Sequence, residues 1–196
     1  MQADIFYQNI VKIAARSPYD RYALLAEFHT GLVTRYLGFI RAMKSEDAGQ
    51  PGANGRTMGQ VVGHIAEWER FTILAAGEMV AGVEWPQIME LAGYRELDGQ
   101  ALDFASVDEF NAYIAAKQAH WSWDAIRDLA LHTAMALHAL FTQPALLSPD
   151  TLEQTRKFTW RLPNGLKLTV PVGWYLWMVS IEHEVVAHAA DLGWDI

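Results

Sequence analysis

In the segment Trp174-Tyr-Leu-Trp-Met-Val-Ser-Ile-Glu-His-Glu-Val-Val-Ala-His-Ala-Ala-Asp-Leu192, Glu184 and His188 stand four residues apart within an apolar stripe. Trp174, Trp177, Met178, Ile181, Val185, Ala189 and Leu192 recur at helical spacing and form that stripe. Side chains four apart leave a helix in the same direction, so a carboxylate and an imidazole are sent together into the interior. Burying them uncompensated is costly, and a shared divalent metal ion is the chemistry that compensates it best. His64, in Val61-Val-Gly-His64-Ile-Ala-Glu-Trp68-Glu-Arg-Phe71, shares a helix face with Val61, Trp68 and Phe71 and offers a third ligand. On its own, His64 reads as a core histidine bonded to a carbonyl or a neighbouring side chain. Beside Glu184 and His188 it completes a ligand set.

Three nitrogen and oxygen donors with one open position describe a catalytic metal site rather than a closed structural one. Zinc suits two histidines and a carboxylate; nickel, iron and manganese accept the same donors. A metal-bound water would be the nucleophile, and no further catalytic residue stands out. At about 100° per residue, Glu184 and His188 lie roughly 40° apart on a helix, whereas His183 lies roughly 140° from His188. His183 is therefore expected on the outer, solvated face. Asp191, one turn beyond His188, either orients that histidine as an acceptor or is a surface acid. His29, His120, His132 and His138 have no partner at ligand spacing and read as structural or surface residues.

The elements that must position these residues carry start signals. A short helix is expected over Ile5–Ala15. Ser17-Pro18-Tyr19-Asp20 supplies an N-cap, a proline at the first helical position and an early acid, opening a helix to about Met43. Lys44–Arg56, with Gly-Gln-Pro-Gly-Ala-Asn-Gly, reads as a flexible loop. Thr57 and Gln60 form a capping box for a helix to about Val80. Ala81–Ala105 reads as irregular. Ser106 and Glu109 form a second box, opening a helix toward Phe141 that is long enough to expect a kink or break. Phe158, Trp160 and Leu162 alternate with polar residues before Pro163-Asn164-Gly165, and Leu166, Leu168 and Val170 alternate after it, the pattern of a hairpin. Pro171 starts the last helix. Four amphipathic helices predict an all-α, antiparallel four-helix bundle with one small β-hairpin before the last helix, a single domain over residues 1–196.

Hydrophobic residues make up 52% of the chain and charged ones 19%, which excludes a disordered chain. The 23 acids and 15 bases give a formal charge of −8, with no basic block, which argues against nucleic acid and anionic membrane as partners. Trp68, Trp121, Trp123, Trp174 and Trp177 accordingly read as bundle core, not as a stacking platform for bases. Cysteine is absent, so disulfides and thiolate ligands are excluded. The start of the chain lacks a signal-peptide pattern, and no apolar run reaches transmembrane length, so a cytoplasmic protein is expected.

Two segments resemble the DinB-like, or YfiT-like, superfamily of metal-binding four-helix bundles. Thr57-Met-Gly-Gln-Val-Val-Gly-His64-Ile-Ala-Glu-Trp68-Glu69 is similar to the family's second helix, in which a histidine precedes a Trp-Glu pair. The Trp-rich start of the last helix, leading into Glu182-His183-Glu184, is similar to its final helix. The commonest family form has two histidines four apart there, but Ala187 stands four beyond His183. Glu184-Val-Val-Ala-His188 instead resembles the branch containing mycothiol-dependent maleylpyruvate isomerases, where a glutamate and a histidine four apart join the earlier histidine. The resemblance implies a metal-dependent hydrolase, or a transferase or isomerase using a low-molecular-weight thiol, acting on a small molecule as a homodimer. The competing expectation is a bundle with a decayed, metal-free site, acting as a binding or stress protein.

Overall fold

Side-chain caps start the long helices where the sequence places them. In the computed structural model, which describes residues 3–52 and 55–193, α1 spans Ala3–Ala14 and α2 spans Pro18–Ala42, with Ser17 accepting from the Asp20 amide. A one-turn helix, α3, covers Ser45–Ala48. Helix α4 spans Met58–Val80, and Thr57 and Gln60 cap it reciprocally. Helix α5 covers Val107–Gln118 and α6 covers Trp123–Thr142, followed by the short α7, Pro149–Glu153. Strands β1 (Tyr94–Arg95) and β2 (Ala101–Leu102) pair antiparallel, as do β3 (Lys157–Arg161) and β4 (Lys167–Pro171). Helix α8, Val172–Glu182, closes the bundle and runs directly into a π-helical turn over His183–Ala187.

The architecture is an all-α bundle in which α4 packs against α6, α5 and α8, α2 packs against α6, and one hairpin precedes the last helix. That hairpin has the predicted register, with Phe158 opposite Val170 and Trp160 opposite Leu168 around Asn164-Gly165. Gly165 takes the left-handed conformation such a turn requires. The long Ser106 helix breaks, as expected from its length, because Ser122 caps a new helix by accepting from the Ala125 amide. Two local expectations change. The stretch read as irregular holds a 3₁₀ turn, Gln87–Glu90, and the β1–β2 ribbon. The Lys44–Arg56 loop contains α3 and closes with a bridge between Pro51 and Thr57; its Ala53 and Asn54 lie outside the described residues. Among the described residues, no helix is long and apolar enough to cross a membrane.

Trp174 and Trp177 are fully buried and stack in the core beside Phe141. A second buried layer is polar. The Glu67 carboxylate, fully enclosed, meets Arg70 and Lys117 at 2.8 Å each and accepts from the Tyr94 hydroxyl. This network fastens α4 to α5 and to the β1 strand.

The junction between hairpin and last helix is tight. The Gly173 amide donates to Thr155 Oγ1 at 2.8 Å. A Cβ on Gly173 would lie 3.0 Å from Leu152 Cα and 3.1 Å from its carbonyl oxygen. Alanine ordinarily favours a helix over glycine by up to about 1 kcal/mol. The nearest atom, Leu152 Cδ2 at 2.9 Å, can rotate away, but the backbone atoms behind it cannot swing aside, so overpacking wins. Gly173→Ala is expected to lower stability by about 1–2 kcal/mol in urea unfolding; an unchanged or raised midpoint would contradict the packing argument.

Candidate metal centre

Three histidine rings meet at one end of the bundle. His64 Nε2 lies 3.1 Å from His183 Nε2, and His183 Nε2 lies 3.1 Å from His188 Nε2. All three ligand atoms fall within 4.8 Å of one another. Zinc–nitrogen bonds of about 2.0–2.1 Å in a tetrahedral arrangement set neighbouring nitrogens about 3.3 Å apart. The two observed 3.1 Å separations are close to that value, so the three rings could hold one divalent ion. His64 comes from the second turn of α4, His183 from the start of the π turn and His188 from the residue that caps its end.

The electrostatics suit neutral ligands. Burial, followed by the charges of His188 and Arg56, pulls His64 down to about 3. Burial, followed by His64, His188 and Arg56, holds His183 well below the usual histidine range. His188 Nδ1 lies 3.0 Å from Asp191 Oδ2. The carboxylate can only accept from the ring, so it fixes the proton on Nδ1 and leaves the Nε2 lone pair facing the other histidines. Asp191 thus takes the orienting position rather than that of a surface acid.

The structure corrects the sequence reading at His183 and Glu184. His64 and His188 come together as expected, but His183 joins them instead of pointing to solvent. The reason is the π turn. Its i→i+5 pairing puts residues five apart on one face, so His183 and His188 share an azimuth that a regular α-helix would deny them. The extra residue turns Glu184 away from the cluster and into the core, where it is completely buried. There it lies 3.6 Å from His29 Nε2 and beside Glu69. The only available cue was the five-residue His183–His188 spacing itself.

Glu184 and Glu69 face each other without a donor for both Glu184 oxygens or for Glu69 Oε1 among the described residues. Two ionised carboxylates could not share that space, so at least one of them keeps its proton. Burial raises Glu184 to about 8, and burial together with the Glu184 charge raises Glu69 well above the carboxylate range. Thr133 donates to the other Glu69 oxygen. His29, read from sequence as structural or surface, is fully buried and accepts from the Trp177 indole at 3.1 Å. Because the indole only donates, the His29 proton sits on Nε2 and faces Glu184.

The histidines open onto a cavity of about 640 Å³, a size suited to a small organic ligand. Trp68, taken from sequence as core, lines it and donates to Asn111 Oδ1 at 3.1 Å. Leu91, Met89, Phe158 and Tyr175 make an apolar wall, and Arg56, Glu69 and Glu182 bring ionisable groups to its surface.

Two solved structures share this fold, the mycothiol-dependent maleylpyruvate isomerase and a histidine-to-alanine mutant of it. They align over 92% and 93% of this chain with TM-scores of 0.56 and 0.57 and 21% identity. The fold is DinB/YfiT-like. This chain spans 62% and 63% of the length of those two proteins. At such identity the likeness establishes the DinB/YfiT-like fold alone. No protein-family model and no curated protein matches the chain.

Proposed function

We propose that this protein is a metal-dependent enzyme whose His64, His183 and His188 hold one divalent ion, zinc foremost, at the head of the cavity. The observation that carries the reading is the convergence of three imidazole nitrogens, neutral at pH 7 in the two histidines whose pKa is depressed, on one point beside a ligand-sized cavity. Such a bound ion supplies Lewis acidity, and it lowers the pKa of a water or thiol at its open position. The surrounding residues do the rest. Asp191 keeps the His188 lone pair directed inward, Trp68 walls the histidines off on one side, and the apolar wall limits water around the reacting group. The isomerase that shares the fold is mycothiol-dependent by name, which supports a low-molecular-weight thiol as the co-substrate; hydrolysis by a bound water uses the same open position. Catalysis requires no nucleophilic side chain under either chemistry.

Protein purified without a histidine tag is expected to carry close to one equivalent of divalent metal per chain by elemental analysis. Stripping it with a chelator should lower the thermal midpoint, because the ion binds the folded state alone. A chain that takes up no metal after incubation with zinc, nickel, iron or manganese would overturn the proposal and leave the histidines as a hydrogen-bonded cluster.

A further inference from the structure

The cavity beside the histidines has an unequal supply of hydrogen-bonding groups. Its two aliphatic hydroxyls spend their protons inward: Thr72 donates to the Trp68 carbonyl, and Ser180 donates to the Leu176 carbonyl and faces Thr72. Its carboxylates each hold one internal bond, Glu182 from the Tyr7 hydroxyl and Glu69 from Thr133 to one of its two oxygens. The donors remain. The Trp68 indole can meet only the oxygen of Asn111, which leaves the Asn111 amide nitrogen with no partner among the described residues. The half-buried Arg56 guanidinium likewise has no hydrogen bond or ion pair among them, although Arg56 lines the same cavity as all three histidines.

Arg56 is held in place by its backbone. Its carbonyl accepts from the Gly52 amide at 2.6 Å, and the Gln50 carbonyl accepts from the Met58 amide at 3.0 Å. The loop so closed is seated on the segment after His188: a Cβ on Gly52 would fall 2.7 Å from the Asp191 carbonyl oxygen. The guanidinium charge is close enough to the histidines to contribute, after burial, to the lowered pKa of His64 and His183.

We infer that this cavity binds a small organic acid carrying one negative charge, its carboxylate paired with Arg56 and its apolar body laid along Met89, Leu91 and Tyr175. A planar guanidinium pairs a carboxylate through two parallel hydrogen bonds. Arg56 is the only cationic side chain among the described residues that line the cavity, and one guanidinium matches one negative charge better than the two of a phosphate ester. The inference rests on the proposed function only in taking the histidine end as the reacting end.

Calorimetric titration of the full chain, first as purified and then stripped of metal, tests it with phenylbutyrate, phenylbutanol and phenylbutyl phosphate as probes. The wild type is expected to bind the acid about tenfold more tightly than the alcohol, and more tightly than the phosphate, in both forms. Arg56→Gln should bring acid and alcohol to parity, and Arg56→Lys should restore part of the preference. Equal binding of acid and alcohol by the wild type would overturn the inference, as would a preference that survives in Arg56→Gln. A preference that vanishes on metal removal would also overturn it, since the metal would then be reading the anion, while the proposed metal function stood. A preference retained by a chain that never binds metal would support the anion site and sink the metal function instead. Tighter binding of the phosphate would overturn the single-charge assignment.

Discussion

His183→Ala is expected to lose divalent metal, with affinity falling by more than about 100-fold, while Glu184→Gln retains it. Losing an outer partner of a metal-bound histidine typically costs about 10–100-fold, so losing one of three direct ligands should exceed that range. Competition against a chromogenic chelator measures both affinities. The prediction depends on the π turn, which sets His183 with His64 and His188 and sends Glu184 to Glu69 and His29. The reverse outcome, with Glu184→Gln losing metal and His183→Ala keeping it, would mean that the segment rewinds as a regular helix when loaded, placing Glu184 and His188 on one face. Glu184→Gln has a second readout. Burial raises Glu184 from 4.5 to about 8, so between those values the folded chain holds a proton that the unfolded chain releases. In that window the wild type loses stability as pH rises. Glutamine cannot ionise and is free of this loss. Urea unfolding at pH 5 and pH 8.5 should therefore show the variant gaining on the wild type at the higher pH. A constant gap would argue that Glu184 ionises in the fold as it does in the unfolded chain.

The legible parts of this molecule were those governed by local rules. Ser17, the Thr57–Gln60 box and the Asn164-Gly165 turn each act within a few residues, and each appears where the sequence puts it. The burial of Glu184 was legible as well, since the apolar stripe around it repeats at helical spacing. What it meets there was not. Its companions His29 and Glu69 come from α2 and α4, and no rule of spacing links positions so distant along the chain. The assignment of His183 to solvent failed for a different reason. The azimuth argument assumed a constant angle per residue, and one π turn shifts every later side chain. The Ser122 cap divided the long helix by a signal present in the sequence, a serine followed by Trp123-Asp124, that a continuous apolar pattern obscured.

Glu67 is expected to be the costliest single carboxylate to remove, although no motif in the sequence marked it. Its two oxygens serve Arg70, Lys117 and the Tyr94 hydroxyl, with Gln118 Nε2 at 3.4 Å, in a completely buried position. Removing one partner from a buried ion pair typically costs about 3–5 kcal/mol, because the charges left behind are uncompensated. Two features hold the cost toward the lower end of that range. Lys117 keeps Glu96 at 2.9 Å, and Arg70 keeps the Arg95 carbonyl at 2.6 Å. Glu67→Ala should therefore destabilise the chain by about 3 kcal/mol in urea unfolding, and Glu67→Gln, which keeps the shape and one acceptor, by less. A loss below about 1 kcal/mol for the alanine variant would show that the network is dispensable. The consequence reaches the site through α4. The helix that presents His64 also carries Glu67, and through Lys117 and Gln118 the carboxylate clamps it to α5, which supplies Asn111 to the cavity wall. Loosening that clamp should weaken retention of a cavity ligand while the three histidines, anchored by α4 and the π turn, still bind metal in the folded fraction.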